Sequence, residues 1–353
     1  MKAGPPATQH GDLPRSGNAL LRYWPILAAV LLAAVLLWAL GTGKYRVSPE
    51  DIIRILAAGI SGSDSGAGST AETVIWNIRL PRVITGFLVG AALAAAGAVY
   101  QGLFRNPLVS PDILGVSAGA SLGAVLGIFL SSSILIIQGL AFAGGVIAVS
   151  VVYGIGSAAR DRDPTLVLVL AGVAIAALLG ACISLLKVLA DPYNQLPAIT
   201  FWLLGSLASV TRSDMLSIVP ATAIGLIPLV LLRWRMNLMT LGDEEARALG
   251  VETAKLRLVF IAAATLMTAA AVSISGIIGW IGLLVPHVAR MLVGPDFSRL
   301  LPTALLLGGG YLVAVDTLAR SIADIEVPLG ILTAALGAPF FLWLLMTARF
   351  SWR

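Results

Sequence analysis

Ten long apolar stretches limit the folds that this chain of 353 residues can adopt. Hydrophobic residues make up 58% of the sequence and charged residues only 12%, whereas a soluble domain carries about 25% charged residues. Each stretch is close to the roughly 20 residues that an α-helix needs to cross the hydrocarbon core of a bilayer. The sequence therefore predicts an all-α polytopic membrane protein. Its ten predicted transmembrane helices lie at residues 24–40, 83–104, 113–130, 134–157, 165–189, 215–232, 256–275, 278–293, 300–319 and 327–347.

The pattern within these stretches argues against a transmembrane β-barrel. Barrel strands alternate apolar and polar residues, whereas these stretches are continuously apolar. They are also rich in small residues, for example Gly86 and Gly90 with Ala94 one step further along. Small residues at four-residue spacing let helices pack closely in lipid, so we interpret them as ordinary packing positions.

Several classes of function are excluded by what the sequence lacks. Cys182 is the only cysteine, so neither an internal disulfide nor a multi-cysteine metal site can form. The two histidines, His10 and His287, belong to no His-Glu-x-x-His motif of a zinc protease, and no G-x-x-x-x-G-K-[ST] phosphate loop is found. We therefore predict no cofactor, no metal and no catalytic site in this chain. Any ATP that drives it must be bound by another chain.

The basic residues indicate how the chain is oriented in the membrane. The net charge of +5 comes from residues scattered over the loops, which argues against a nucleic-acid partner. With the N-terminus inside, 15 of the 23 Lys and Arg residues lie on the cytoplasmic side, as the positive-inside rule requires. Residues 1–23 and 348–353 are thus predicted to be cytoplasmic tails. A cleaved signal peptide is the alternative for the first stretch, but no clear A-x-A site follows it.

The motif RLPR places Arg79 and Arg82 on the outer face in this topology, against the positive-inside tendency. Pro81 between them stiffens the backbone, and guanidinium groups suit the bidentate recognition of carboxylates. One interpretation is that the two arginines meet acidic groups of a partner protein. The other is that they snorkel to lipid headgroups.

The segment GLFRNPLVSPDILG, residues 102–115, is a polar loop between two apolar spans, on the cytoplasmic side in this topology. Pro107 and Pro111 each remove a backbone donor and stop a helix from continuing. A side chain such as Leu108, held over a pore axis, could close the pore, because hydrophobic constrictions gate some channels. The alternative is a tight turn with no gating role.

The segment LGDEEARALGV, residues 241–251, carries the signals of a short helix outside the membrane. Asp243 is expected to cap it, Glu244 and Glu245 sit at its positive end, and Gly250 fits the position that ends it. So short a helix is marginal in water and needs a surface to pack on. That surface belongs either to a partner or to the rest of this chain.

In this order the three motifs resemble those of the iron-chelate, haem and vitamin B12 (FecCD-type) permease family of ABC importers. VPLGILTAALGAPFF at residues 327–341 matches the last span of that family. The resemblance covers residues 24–347 and implies one permease domain with the type II ABC importer permease fold. It also implies a place in the inner membrane and a set of partners. These are a second permease subunit, an identical copy in our reading, two ABC ATPase subunits and a periplasmic substrate-binding protein.

The resemblance further implies roles for individual residues. Arg79, Arg82 and Arg320 would dock the binding protein, although Asp316 lies four residues before Arg320 and a local ion pair is the alternative there. Asn106, Pro107 and Leu108 would form a cytoplasmic gate. The coupling element, within residues 240–255, would sit in a cleft of the ATPase. It comprises Asp243, Glu244, Glu245, Ala246, Arg247, Ala248, Leu249, Gly250 and Val251.

The substrate is the least constrained part of this prediction. The family carries bulky metal chelates such as ferric siderophores, haem or cobalamin, and in some members an oxyanion such as molybdate. The variant SPDILG favours an iron chelate. An ion-coupled secondary transporter is a less favoured alternative, because it would need carboxylates within the spans, where Asp and Glu are nearly absent. One departure from the family is visible at Gly294-Pro295-Asp296-Phe297-Ser298, where the family has Gly-x-Asp-His-Arg.

Overall fold

The computed structural model describes residues 17–62, 65–159 and 164–347. The described residues form helices joined by loops and contain no strand. Most of the predicted N-terminal tail and all of the C-terminal tail lie outside them. The helices are α1 (Gly17–Gly41), α2 (Pro49–Ser61), α3 (Ser69–Thr73), α4 (Leu80–Leu103), α5 (Val116–Phe129), α6 (Ile134–Ala158), α7 (Pro164–Leu189), α8 (Gln195–Leu204), α9 (Arg212–Leu231), α10 (Arg233–Met239), α11 (Asp243–Ala248), α12 (Thr253–Ser275), α13 (Ile281–Val293), α14 (Phe297–Ala319) and α15 (Leu329–Thr347).

All ten predicted spans coincide with a helix in this structure. They correspond to α1, α4, α5, α6, α7, α9, α12, α13, α14 and α15. Among the described residues, six helical segments are long and apolar enough to cross a membrane, and the other four predicted spans lie on shorter apolar helices. The first boundary differs, because α1 already begins at Gly17 within the predicted tail. Apolar residues mark only the lipid-embedded part of a helix, and its polar first turns extend beyond that part.

Helix α8 was not predicted. Its 10 residues are apolar but reach only about 15 Å, roughly half the hydrocarbon thickness. The helix ends at Gly205, which has a φ of +71° and lies against the backbone of Ile277. A Cβ at Gly205 would come within 2.3 Å of the Ile277 carbonyl oxygen, so glycine is required there on two grounds.

Helix α4 lies at the centre of the bundle. Within its segment 83% of the apolar window is buried inside the chain, against 17% for α7. Small residues allow this close packing: a Cβ on Gly90 would lie 2.2 Å from the Gly308 carbonyl oxygen, and one on Gly97 would lie 1.9 Å from that of Gly282. Helices α13 and α14 therefore meet α4 backbone to backbone, and α7 leaves most of its surface for lipid or a partner.

The motif RLPR lies inside a helix, just before residues 83–104 of the second predicted span. Helical structure is continuous from Ser69 to Leu103, with a π-helical turn at Val74–Arg79 just before Pro81. In that wider turn the Leu80 amide donates to the Ile75 carbonyl, five residues back. Pro81 follows directly, in the interior of this continuous helix, and it has no amide hydrogen to donate to the preceding turn.

The two ends of α4 define the two ends of the bundle. Arg82 and Leu103 lie 21 residues apart on this helix, which separates them by roughly 30 Å. We call the end with Arg82 the arginine end and the end with residues 104–115 the loop end. Helix α2 packs at the arginine end and is capped by Ser48, with Pro49 in its first turn.

Candidate functional site

At the arginine end, Arg82 binds two carboxylates with the two edges of its guanidinium. Its Nε donates to Asp316 Oδ2 at 3.0 Å and its Nη2 to Asp316 Oδ1 at 2.8 Å. Its Nη1 and Nη2 donate to Glu326 Oε1 and Oε2, each at 2.9 Å. Asp316 is buried and Glu326 is exposed. Four of the five N–H donors of this guanidinium are therefore bonded to carboxylates within the chain.

The other two arginines hold the C-terminal end of α1. The Arg320 Nη1 donates to the Thr42 carbonyl at 2.7 Å, and its Nη2 donates to the Ala39 carbonyl. The Arg79 guanidinium donates to the carbonyls of Leu40 and Tyr45. The last carbonyls of a helix have no partner inside the helix and carry its negative end, so cations satisfy both needs. The three arginines thus join α1, α4 and α14.

These contacts bear on the predicted role of the arginines. Arg79, Arg82 and Arg320 do come together, and Arg320 Nε lies 3.7 Å from Asp316 Oδ2, as the local-pair interpretation predicted. Arg79 and Arg82 are buried among protein acceptors, which removes the snorkelling interpretation for them. Docking of a partner stays a prediction. The structure adds that all three guanidiniums already have partners within this chain and that their side chains expose little surface.

A polar cleft of about 1000 Å³ opens at the surface of the arginine end. Exposed Lys44 and Arg46 line it, together with Arg320 and Asp324. Beside it, hydrogen bonds from Arg82 lower the pKa of the Glu326 carboxyl below its ordinary value of 4.5, so Glu326 is ionised at neutral pH. This end of the bundle presents both signs of charge to a partner.

At the loop end, the segment after α4 folds into a tight turn. The Asn106 Oδ1 accepts a hydrogen bond from the Leu108 amide at 2.9 Å, the turn that a short amide side chain favours. Arg105 before it has a positive φ of 49°. Pro107 lies between the two bonded residues, and the Leu108 side chain is 47% exposed. Leu108 is thus presented by a fixed backbone, and its gating role stays a prediction.

Sequence reasoning missed a buried polar link beside this turn. The Gln101 Nε2 donates to the Leu283 carbonyl at 3.0 Å, and Arg290 Nη2 donates to Gln101 Oε1 at 3.0 Å. Gln101 is fully buried, and the two bonds fasten α4 to α13. The available signal was the presence of Gln and Arg in otherwise apolar spans, which lipid tolerates only when they are paired.

Helix α11 ends as predicted. Gly250 has a φ of +80°, its amide donates to the Arg247 carbonyl, and the Val251 amide donates to the Ala246 carbonyl. These two bonds form a Schellman motif, in which glycine takes the left-handed position. Gly250 has no atom within 4 Å of a built Cβ, so its requirement is purely conformational.

The start of α11 differs from the prediction. Gly242 occupies the cap position, and Asp243 is the first helical residue. The Asp243 carboxylate instead accepts from Arg257 Nη2 at 2.7 and 3.0 Å and lies 3.6 Å from Arg247 Nη2. The Asp243 carboxylate, which the local sequence pattern predicted to cap α11, therefore binds Arg257 of the next helix instead. This ion pair ties α11 to the second turn of α12.

One face of α11 is anchored and the other is free of the chain. Ala246 is fully buried, and Val251 packs against the main core. Glu244, Glu245 and Leu249 are exposed, the last at 60%. A short helix held rigidly by its ends, with an exposed face of two acids and a leucine, is suited to contact another protein.

A sequence model of the FecCD transport family matches residues 31–347. This chain belongs to the FecCD transport family. A cobalamin import permease (BtuC) of Halobacterium salinarum is 45% identical over 281 residues, which cover 79% of this chain and 75% of the relative. A molybdate import permease (MolB) of Haemophilus influenzae is 40% identical over 320 residues, covering 88% of this chain and 92% of the relative.

Solved structures agree with this assignment. An ABC transporter of metal-chelate type in an inward-facing conformation superposes with a TM-score of 0.84 at 36% identity, covering 93% of this chain and all of that one. The resemblance to the FecCD permeases and the all-α permease fold are therefore confirmed. The chain is a multi-pass membrane permease of an ABC importer, and the relatives described here are permease subunits rather than enzymes.

The segment that departs from the FecCD pattern after α13 is held through Asp296, a residue that it shares with that pattern, and through the backbone amides of Phe297 and Ser298. Asp296 caps α14 by accepting from the Ser298 amide at 3.0 Å, and it accepts from Asn237 Nδ2 at 2.7 Å. The Asn237 Oδ1 in turn accepts from the Phe297 amide at 2.7 Å. The hydrogen bond from Asn237 is the main cause that lowers the pKa of Asp296. This reciprocal contact fixes α10, next to α11, against the start of α14.

Proposed function

We propose that this chain is the membrane-spanning subunit of an ABC importer that moves a bulky metal chelate across the inner membrane. A second permease subunit, an identical copy, completes the pathway, two ATPase subunits supply the energy and a periplasmic binding protein delivers the substrate. The main support is α11. It is a rigid short helix with an exposed face at the loop end, opposite the arginine end, in a chain of the FecCD family.

The coupling role rests on how α11 is connected. Its first residue is ion-paired to α12 through Arg257, and it follows α10, which Asn237 fastens to α14. A force applied to the exposed face of α11 therefore reaches two spanning helices through short, stiff links. Asp243 through Val251 form the coupling element of this proposal, with Glu244, Glu245 and Leu249 as its contact residues.

The proposed gate and the proposed second subunit are supported by two further features, the turn after α4 and the exposed surface of α7. Asn106, Pro107 and Leu108 form a fixed turn at the loop end, with an exposed leucine that can narrow a pathway between two subunits. Helix α7 buries only 17% of its apolar window inside the chain, so it offers surface to a second copy and to lipid. The loop end is cytoplasmic in this proposal, as are both termini.

For the substrate, a metal chelate is our first choice and an oxyanion the second. One described relative is a cobalamin permease and one structural neighbour is of metal-chelate type, whereas the other relative is a molybdate permease. Measuring which ligand, delivered by the binding protein, stimulates ATP hydrolysis by the reconstituted complex decides between them.

The energy source is tested in proteoliposomes. We expect the chain alone to hydrolyse no ATP, because its sequence has no phosphate loop. Uptake by the assembled complex should stop when the partner ATPase is inactivated at its catalytic site. Uptake that continues with the inactive ATPase and collapses with an uncoupler would contradict the proposal and indicate an ion-coupled transporter.

The coupling role predicts a selective effect of Gly250→Val. A β-branched residue strongly disfavours a φ of +80°, so the Schellman end of α11 should be distorted while the buried helices are untouched. We expect normal insertion and yield, but substrate-stimulated ATP hydrolysis reduced by about tenfold. Gly250→Asn is the matched control, since asparagine tolerates the left-handed region. Stimulation at the wild-type level in the valine variant would refute the coupling role.

A further inference from the structure

The two carboxylates on Arg82 differ in how firmly they are held. Asp316 lies on α14, is buried, and also lies 3.7 Å from Arg320, so it is part of the structural core of the arginine end. Glu326 lies in the exposed segment between α14 and α15, and its side chain is 41% exposed. The outer edge of the Arg82 guanidinium is therefore covered by a residue at the surface.

The Glu326 segment lies at the surface and is held by backbone hydrogen bonds near its two ends; at the first end, the Ser321 and Ile322 amides donate to the Leu318 carbonyl at 2.9 and 3.0 Å. The neighbouring residues Ser321 through Ile325 are exposed, and the backbone returns to the bundle at Val327, whose amide donates to the Ala319 carbonyl at 3.2 Å. Departure of Glu326 would uncover two coplanar N–H groups of Arg82. Asp316 would remain in place to neutralise part of the charge. Such a paired donor edge is a binding site for one carboxylate.

We propose that Glu326 occupies, within the chain, the site on Arg82 that takes a carboxylate of the docking protein. The proposal rests on the docking role of the arginine end and adds a defined exchange, in which one carboxylate replaces another on the same guanidinium edge. Buried Arg82 cannot reach a partner in any other way, because its inner edge is bound to Asp316.

Such an exchange explains how a buried arginine could dock a partner and still release it. The number of charge-assisted hydrogen bonds on Arg82 is the same before and after docking. The partner's carboxylate therefore gains only the difference between two similar contacts, and Glu326 acts as its competitor. Removing this competitor should tighten docking, whereas most changes at an interface weaken it.

The test measures the affinity of the binding protein for the complete permease–ATPase complex in nanodiscs. The binding protein used is the one that stimulates ATP hydrolysis by the same complex. We expect Glu326→Gln to lower the Kd on the order of fivefold. Asp324→Asn is the matched control, because Asp324 is an exposed carboxylate two residues away that makes the same change in net charge without touching Arg82.

A second variant separates the contact from the charge. Glu326→Asp keeps the charge but shortens the side chain by one methylene group, so it should lose the bidentate contact and also lower the Kd. It decides the question if the glutamine variant does not fold. A Kd for both Glu326 variants equal to or higher than that of Asp324→Asn would overturn the proposal. Absence of any binding to the wild-type complex would instead refute docking at this end.

Discussion

Replacing Asp316 with alanine is expected to destabilise the folded chain by about 3–5 kcal/mol. The substitution leaves the inner edge of Arg82 and the nearby Arg320 without their shared carboxylate in a buried site. Glu326 stays on the outer edge of Arg82, but the inner N–H groups lose their acceptors in a buried site and bear the cost of desolvation. Thermal unfolding in detergent, followed by loss of the monodisperse peak in size-exclusion chromatography, measures the effect.

Two further variants test whether the loss of the carboxylate partner of Arg82 causes this destabilisation. Glu326→Gln removes the exposed partner of the same arginine and should cost about 1 kcal/mol or less. The double variant Arg82→Met with Asp316→Leu removes the buried charges together and should be more stable than Asp316→Ala alone. If the double variant is the less stable of the two, an uncompensated charge is not the cause, and simple loss of packing is.

Gly97→Ala is expected to disrupt the packing of the central helix. The new Cβ would lie 1.9 Å from the Gly282 carbonyl oxygen, a backbone atom that cannot rotate away. Helices α4 and α13 must separate, which costs about 1–3 kcal/mol or more and exposes the Gln101 link to strain. We expect a lower unfolding temperature and a reduced yield of monodisperse protein.

Gly139→Ala is the matched control for this prediction. Gly139 is also a helical glycine, in α6, but no atom lies within 4 Å of a Cβ built there. Alanine favours a helix over glycine by up to about 1 kcal/mol, so this variant should be unchanged or slightly more stable. Equal losses in the two variants would show that the close approach of α4 and α13 is not what Gly97 provides.

The spanning helices could be predicted because apolarity is recorded along the sequence itself. Each of the ten predicted stretches carries enough apolar residues to be recognised without any knowledge of its neighbours. Helix α8 was missed because 10 apolar residues fall below the length of a span. The extension of α4 back to Ser69 was missed because Arg79 and Pro81 are read as ends of a helix. The π-helical turn at Val74–Arg79 keeps the helix continuous through these residues, and no local sequence pattern predicts such a turn.

In the candidate sites, too, features set by neighbouring residues could be predicted and features set by distant residues could not. The end of α11 was predicted because the Schellman motif depends on one glycine and its immediate neighbours. The partners of Arg82 were not, because Asp316 and Glu326 lie 234 and 244 residues further along the chain. Only the Asp316–Arg320 pair, four residues apart, could be seen locally, and it was named as an alternative. Long-range charge pairing is decided by the packing of α4 on α14.

The contacts of Arg79 and Arg320 with the carbonyls at the end of α1 form in a fixed order during synthesis of the chain. Helix α1 precedes the other described helices in the chain, and the Arg320 that holds the Ala39 and Thr42 carbonyls at its end follows them by 281 and 278 residues. Until Arg320 is synthesised, only Arg79 can hold the end of α1, through the carbonyls of Leu40 and Tyr45. The contacts at the arginine end are therefore completed late in synthesis. A chain that stops before residue 320 would leave the Ala39 and Thr42 carbonyls without their guanidinium partner.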